Sequence, residues 1–111
     1  MYVGAIIKET ITDDRLFDHV EVERVELWKT DTEIPYWTMV FFQSQVPDFP
    51  ERTSRVLRDG WFADMKQDNT KYIIFKDCVY GYTIGNIDEK NRVLDQLRKR
   101  GIPETQFGWE E

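Results

Sequence analysis

Apolar and polar residues alternate along much of this chain, and an alternation of period two is typical of β-strands. The segments VEVERVELWKT and YWTMVFFQ predict two strands, joined by the polar turn TDTEIP. In the first strand the apolar positions shift from Val20 and Val22 to Val25 and Leu27. That change of phase predicts a β-bulge near Glu23 or Arg24.

Three more alternating segments, WFADMK, KYIIFK and VYGYTI, predict an antiparallel meander. Its turns are expected at QDNT, centred on Asp68 and Asn69, and at Asp77 and Cys78, because Asp and Asn favour turns. Before the first hairpin, YVGAIIKETI is a candidate strand and DDRLFDHV a candidate helical turn.

Two segments carry the end signals of helices. In PDFPERTSRVLRDG, Asp48 is the expected N-cap and Gly60 the expected C-terminal stop. In GNIDEKNRVLDQLRKRGIP, Asn86 is the expected cap, with Glu89 three residues on, and Gly101 closes the helix. Helical spacing predicts that these residues face inward: Phe49, Thr53, Val56 and Leu57 from the first helix, and Ile87, Lys90, Val93, Leu94 and Leu97 from the second.

Both faces of the predicted meander are largely apolar. One face carries Phe62, Asp64, Ile73, Phe75, Tyr80 and Tyr82, and the other carries Trp61, Ala63, Met65, Tyr72, Ile74, Val79 and Gly81. Because a solvated face would alternate with polar residues, each face needs a cover. We expect an α+β fold, an antiparallel sheet with two main helices packed on one face in a ferredoxin-like arrangement. The N-terminal segment, the tail QFGWEE or a second copy of the chain is expected to cover the other face.

Composition narrows the class of protein. At 111 residues, with 32% charged and 14% aromatic residues, the chain is expected to form a single α+β domain over residues 1–111. A formal net charge of −6 argues against a nucleic-acid binder. The basic residues between Lys90 and Arg100 suit the C-terminal end of a helix. With no membrane-spanning run, no signal peptide and a single cysteine, we expect a cytoplasmic protein without a membrane partner.

Asp64 is the leading candidate for a functional residue, since it is a carboxylate in the middle of an aromatic face. A buried carboxylate has to be paired, hydrogen-bonded or protonated, and the last state is used by general acids and bases. The alternative is that Asp64 lies near an edge of the sheet, reaches water, or pairs with Lys66 or an arginine. If a ligand pocket lies here, its residues are expected to be Asp64, Phe62, Tyr80 and Tyr82.

Other chemistry has weaker support in the sequence. His19 is expected at the surface, and Cys78 lacks a visible base. One histidine and one cysteine do not favour a zinc site, and no phosphate-binding or dinucleotide motif occurs, so we expect no metal and no cofactor. The aromatic residues of the meander resemble a base-stacking platform, but the acidic charge opposes RNA binding.

The segments GWFADM, YIIF and VY, followed by GIPETQFGW, resemble a set of small uncharacterised prokaryotic proteins of similar length. In that set a W-Y/F-A segment precedes an apolar V/I-F strand, and the chain ends in G-I-P-x-x-Q-L/F. The resemblance spans Trp37 to Trp109 and implies no catalytic role. Where the set often has a histidine after the W-Y-A segment, this chain has Asp64, so a histidine-based mechanism is not implied.

Two functions of different classes follow from these observations. The first is a non-enzymatic binding or assembly module that forms a homodimer, with Trp61, Met65, Tyr72 and Ile74 as the expected interface. The second is a small-molecule sensor or small enzyme with its pocket on the aromatic face around Asp64. The absence of a recognised catalytic motif favours the first.

Overall fold

The computed structural model describes residues 1–109 and 111, which form an α+β fold around a six-stranded antiparallel sheet. Short 3₁₀ segments at Lys8–Thr10 and Asp14–His19 follow the first strand, and a third lies at Glu104–Gln106. The strands are β1 (Tyr2–Ile7), β2 (Glu21–Lys29), β3 (Tyr36–Ser44), β4 (Ala63–Gln67), β5 (Thr70–Phe75) and β6 (Cys78–Thr83), and the helices are α1 (Phe49–Val56) and α2 (Ile87–Lys99).

β1 lies near the centre of the sheet and joins its two halves. The strand order is β2-β3-β1-β4-β5-β6, so β1 separates the β2–β3 hairpin from the meander. On one side Ile6 pairs with Val40 of β3, and on the other Gly4 pairs with Met65 of β4. A Cβ atom at Gly4 would lie 2.8 Å from the backbone oxygen of Asp64, so only glycine fits this approach.

The strand predictions are confirmed, with one change of register. The β2–β3 pairing shifts between Val22 and Arg24, which is the expected bulge. The second meander turn is formed by Lys76 and Asp77, because Phe75 pairs with Cys78. The centre of the turn predicted at Asp77 and Cys78 therefore moves by one residue, and the side chains of β5 and β6 keep their predicted faces. Trp61 does not keep its predicted face beside Met65, because it precedes β4 and packs on Trp37 of the opposite face.

The two helices pack on opposite faces of the sheet, which does not confirm the ferredoxin-like arrangement with both helices on one face. The face we call the α1 face carries Met65 and Ile74 and packs with Phe49 of α1. The α2 face carries Ile73 and Tyr82 and packs with α2. Because both faces of the meander are apolar, each takes its own helix.

The remaining covers come from the chain itself. The N-terminal 3₁₀ segments contribute Ile11 and Leu16 to the α1 face. The C-terminal tail contributes Phe107 and Trp109 to the α2 face. The chain therefore covers both faces of the meander itself, and a second copy is not required to cover either face.

The first helix ends earlier than predicted. α1 stops at Val56, and Leu57 is extended because it bridges to Ile11. Gly60 has a φ of 85° but lies in the turn before β4, so its predicted role as the helix stop is wrong. Asp48 makes no capping hydrogen bond and instead accepts one from Arg52 Nε at 2.8 Å.

The second helix begins and ends as predicted. The Asn86 side chain accepts a hydrogen bond from the Glu89 amide, and Gly101 follows the helix with a φ of 80°. Val93 and Leu97 are buried, whereas Ile87 is exposed, which corrects its predicted inward position. Among the described residues, no helix has the length and apolar character needed to cross a bilayer.

Candidate functional site

Asp64 lies on the α2 face and forms an ion pair with a buried lysine. Lys71 Nζ donates to Asp64 Oδ1 at 2.6 Å, with 5% of the lysine side chain exposed and 33% of the aspartate side chain. A buried cation is costly unless a counter-charge accompanies it. The pairing partner is thus Lys71 on the neighbouring strand, and not Lys66 or an arginine as the sequence suggested.

The exposed part of Asp64 borders a cavity of about 650 Å³, which we call the Asp64 cavity. It lies on the α2 face where the face is not covered by α2, between β1, β3, β4 and the C-terminal segment. This volume falls within the range of small-molecule sites. The lining residues are Ala5, Ile7, Thr32, Glu33, Trp37, Met39, Asp59, Gly60, Trp61, Phe62, Ala63, Asp64 and Gln106.

Two tryptophans form an aromatic corner of the Asp64 cavity. The rings of Trp37 and Trp61 meet edge to face, with centroids 5.7 Å apart and an interplanar angle of 81°. Trp37 Nε1 donates to Thr32 Oγ1 at 3.2 Å, which fixes the orientation of its indole. Phe62 is anchored on the core side by ring contacts with Phe75 and Trp109. The aromatic wall is therefore built before any ligand arrives.

The charge around the Asp64 cavity is negative. Its described lining contains the carboxylates of Glu33, Asp59 and Asp64 and no Lys, Arg or His. Lys71 offsets Asp64 from outside the lining, and Arg100 interacts with Asp59. With three carboxylates and no cationic side chain, the described lining favours a negative potential, in a chain whose formal net charge is −6.

The structure divides the predicted ligand-binding residues into two groups. Asp64 and Phe62 line the cavity, but Tyr80 and Tyr82 do not. Tyr82 is buried beneath the tail, where its hydroxyl accepts a hydrogen bond from Trp109 Nε1 at 2.9 Å and burial raises its pKa. Burial also raises the pKa of Tyr80, which packs edge to face on Phe75. Both tyrosines therefore belong to the core under α2, and their assignment as pocket walls is corrected.

The predicted interface residues also take other positions. Met65 and Ile74 are fully buried in the core of the α1 face, so a partner chain cannot reach them in the folded protein. Tyr72 packs edge to face on Tyr2, and Trp61 lines the Asp64 cavity. The interface predicted at these residues is corrected because α1 and the N-terminal segments already occupy the face of Met65, Tyr72 and Ile74, and Trp61 lies on the other face.

Sequence reasoning missed the contribution of the β2–β3 hairpin to the site. Trp37, Thr32 and Glu33 reach Asp64 only because β1 pairs with both β3 and β4. The alternation of β3 places Trp37 and Met39 on one face, but no local signal relates that face to the face of Asp64. The missing information was the strand order, which is not encoded locally.

The other candidate residues lie outside the Asp64 cavity. His19 is exposed, and its backbone carbonyl accepts a hydrogen bond from Ser44 Oγ at 2.7 Å. Cys78 is a half-buried free thiol at the start of β6. Neither residue lines the cavity, so neither contributes to the chemistry of this site.

A second surface feature is the outer edge of the sheet at β2. Within the described residues β2 pairs with β3 alone, and Val22, Val25 and Leu27 are 51%, 56% and 69% exposed. Their partners across the hairpin are Phe42, Val40 and Thr38, so the three residues share the α1 face. An exposed apolar edge strand of this kind is a template for pairing with another strand.

Comparisons with protein-family models, curated protein sequences and solved structures find no match to this chain. The resemblance to small prokaryotic proteins therefore stays a prediction. The chemistry of the site has to follow from the residues that form it.

Proposed function

We propose that this protein is a non-enzymatic binding module that takes a small ligand in the Asp64 cavity. The observation that carries the proposal is the cavity itself, which combines aromatic walls with convergent polar groups. Asp64 serves as a binding group because Lys71 holds its carboxylate in an ion pair. The proposal therefore combines two expectations from the sequence, a non-enzymatic binding module and a ligand pocket around Asp64.

Blocking the cavity floor tests this function. Ala5 lies on β1 and lines the cavity, so Ala5→Leu fills part of its volume. A fragment library screened by NMR is expected to shift the indole Nε1–H signals of Trp37 and Trp61, and Ala5→Leu is expected to abolish these shifts. Val3→Leu is the matched control, since Val3 faces the same side of the same strand but does not line the cavity. Fragments that bind the Ala5→Leu variant and the native chain equally would contradict the proposal.

A second candidate function is self-assembly through β2, favoured by its exposed apolar edge. The occupant we propose is a second copy, because an antiparallel β2–β2 pair with its two-fold axis at Val25 sets each Arg24 opposite a Glu26 of the partner. A two-fold axis at Glu26 would instead place like charges together. Sedimentation velocity at micromolar concentration is expected to show a dimer, and a monomer at every concentration would exclude this function.

The proposal also includes the cellular compartment and the classes of partner. A reducing cytoplasm suits the free thiol of Cys78. The negative net charge supports a role that involves neither nucleic acid nor an anionic membrane surface.

A further inference from the structure

The aromatic corner of the Asp64 cavity favours positive charge. The faces of aromatic rings carry negative electrostatic potential, and tryptophan attracts cations most strongly. Trp37 and Trp61 both line the cavity, and Thr32 holds the Trp37 indole in place. A ligand in the cavity therefore lies beside two indole rings, one of which is oriented by a hydrogen bond.

The carboxylates act in the same direction. Glu33 and Asp59 are exposed lining residues, and Asp64 lines the same cavity from β4. An anionic ligand would meet these charges without any Lys, Arg or His among the described lining residues. A cationic ligand gains from both the carboxylates and the indoles.

We infer that the Asp64 cavity binds an organic ammonium ion, with its carbon substituents against Trp37 and Trp61 and its charge toward Glu33, Asp59 and Asp64. This inference rests on the proposed function and names the ligand class of the same site. The cavity volume of about 650 Å³ suits an organic ion rather than a bare metal ion. The apolar side chains of Ala5, Ile7 and Met39 provide surface for the carbon substituents.

Three probes of nearly equal shape isolate the contribution of charge. Choline is the cation, 3,3-dimethylbutan-1-ol is its neutral isostere and 3,3-dimethylbutanoate is the anion. Each is titrated into the ¹⁵N-labelled full chain, and binding is followed at the indole Nε1–H signals of Trp37 and Trp61. Choline is expected to bind about tenfold more tightly than the neutral isostere, and the anion more weakly than both.

Matched variants show which side chains contribute to choline binding. Trp61→Leu and Glu33→Gln are expected to weaken choline binding by about three- to tenfold each. Tyr36→Leu removes an aromatic ring from the opposite face of β3, and Glu23→Gln removes a carboxylate from the β2 edge. Both controls are expected to bind choline as the native chain does.

The outcomes separate the ligand class from the function. If the neutral or anionic isostere binds as tightly as choline, the cavity is a ligand site but the inference of an organic ammonium ion is overturned. If choline produces no shift while neutral library fragments do, the inference is also overturned and the proposed function stands. If neither choline nor any fragment shifts the signals of Trp37 and Trp61, both fail.

Discussion

At the scale of single residues, Gly4 controls how closely β1 and β4 approach. Gly4→Ala would place Cβ 2.8 Å from the Asp64 backbone oxygen and 3.0 Å from Met65 Cβ. Because these are central strands, relief requires movement of the sheet, and we expect the free energy of unfolding to fall by about 2–3 kcal/mol. Urea unfolding followed by tryptophan fluorescence measures the loss.

Gly81 provides the matched control for Gly4. A Cβ at Gly81 would meet the Tyr72 ring at 3.4 Å, which is an ordinary contact, and alanine costs less backbone entropy than glycine in a strand. Gly81→Ala is therefore expected to change stability by less than about 1 kcal/mol. Equal losses for the two variants would show that the close approach at Gly4 does not limit the sheet.

Glu9 makes the stability of the fold depend on pH. Burial pushes the pKa of its carboxyl up, but hydrogen bonds from the Thr38 amide at 2.6 Å and hydroxyl at 2.7 Å outweigh burial and hold it below its ordinary value. A lowered pKa in the folded state means that this stabilisation is complete above the unfolded pKa and is lost as the pH falls through the folded pKa.

Glu9→Gln measures this contribution, since glutamine does not titrate. At neutral pH we expect the variant to be less stable than the native chain by about 1 kcal/mol. The difference is expected to shrink as the pH falls from about 6 to about 3. Glu23→Gln, at an exposed position on the β2 edge, serves as the control for the loss of one carboxylate. A Glu9→Gln difference that stays constant across this range would exclude the Thr38 contact as its source.

The position of Asp64 on an aromatic face could be predicted from sequence, but its ion-pair partner was not. Alternation placed Asp64 among Phe62, Ile73 and Phe75, and the structure confirms that face. Alternation also places Lys71 on that face, two residues before Ile73, but a lysine in a strand usually reaches solvent. Lys71 is buried opposite Tyr82 of β6, whose hydroxyl is bonded by Trp109 from a distant part of the chain.

At the scale of secondary-structure elements, the two helices differ in how their first turns are held. Asn86 accepts a hydrogen bond from the Glu89 amide, so Asn86→Ala is expected to cost about 1 kcal/mol of unfolding free energy. Asp48 makes an ion pair with Arg52 and no capping bond, so Asp48→Ala is expected to cost less than about 0.5 kcal/mol. Both values come from urea unfolding, and a larger cost for Asp48→Ala would contradict the assignment of the caps.

Element types were predictable because their signals are local. Alternation, turn residues and capping residues lie within a few positions of the structure they specify, which holds for the meander, the bulge after Val22 and both ends of α2. The end of α1 was not predictable, since Leu57 leaves the helix to bridge with Ile11, far away in sequence. The placement of the helices on opposite faces depends on the same long-range packing.

At the scale of the whole molecule, β1 brings two separate parts of the chain to one site. The β2–β3 hairpin supplies Trp37, and the start of the meander supplies Trp61 and Asp64. A sheet order in which β1 did not separate β3 from β4 would keep every predicted strand and lose the cavity. The site was therefore only half predictable, because its second half depends on strand order.

The predicted β2–β2 dimer can be tested by exchanging charges at the β2 edge, because Arg24 and Glu26 can be swapped without changing the net charge of the chain. In the proposed β2–β2 pair Arg24 faces Glu26 of the partner, so Arg24→Glu sets like charges across the interface and is expected to weaken the dimer about tenfold or more. Within one chain the same change removes the exposed Arg24–Glu26 ion pair at 2.8 Å, which contributes little to folding.

The double exchange Arg24→Glu with Glu26→Arg restores opposite charges and is expected to restore the dimer, as measured by sedimentation equilibrium. Urea unfolding of each variant separates weakened assembly from a weakened fold. Unchanged association of Arg24→Glu, or failure of the double exchange to recover it, would rule out the two-fold axis at Val25. Recovery requires Arg24 and Glu26 of the two copies to lie opposite one another, so it would establish both the edge and the register of the assembly.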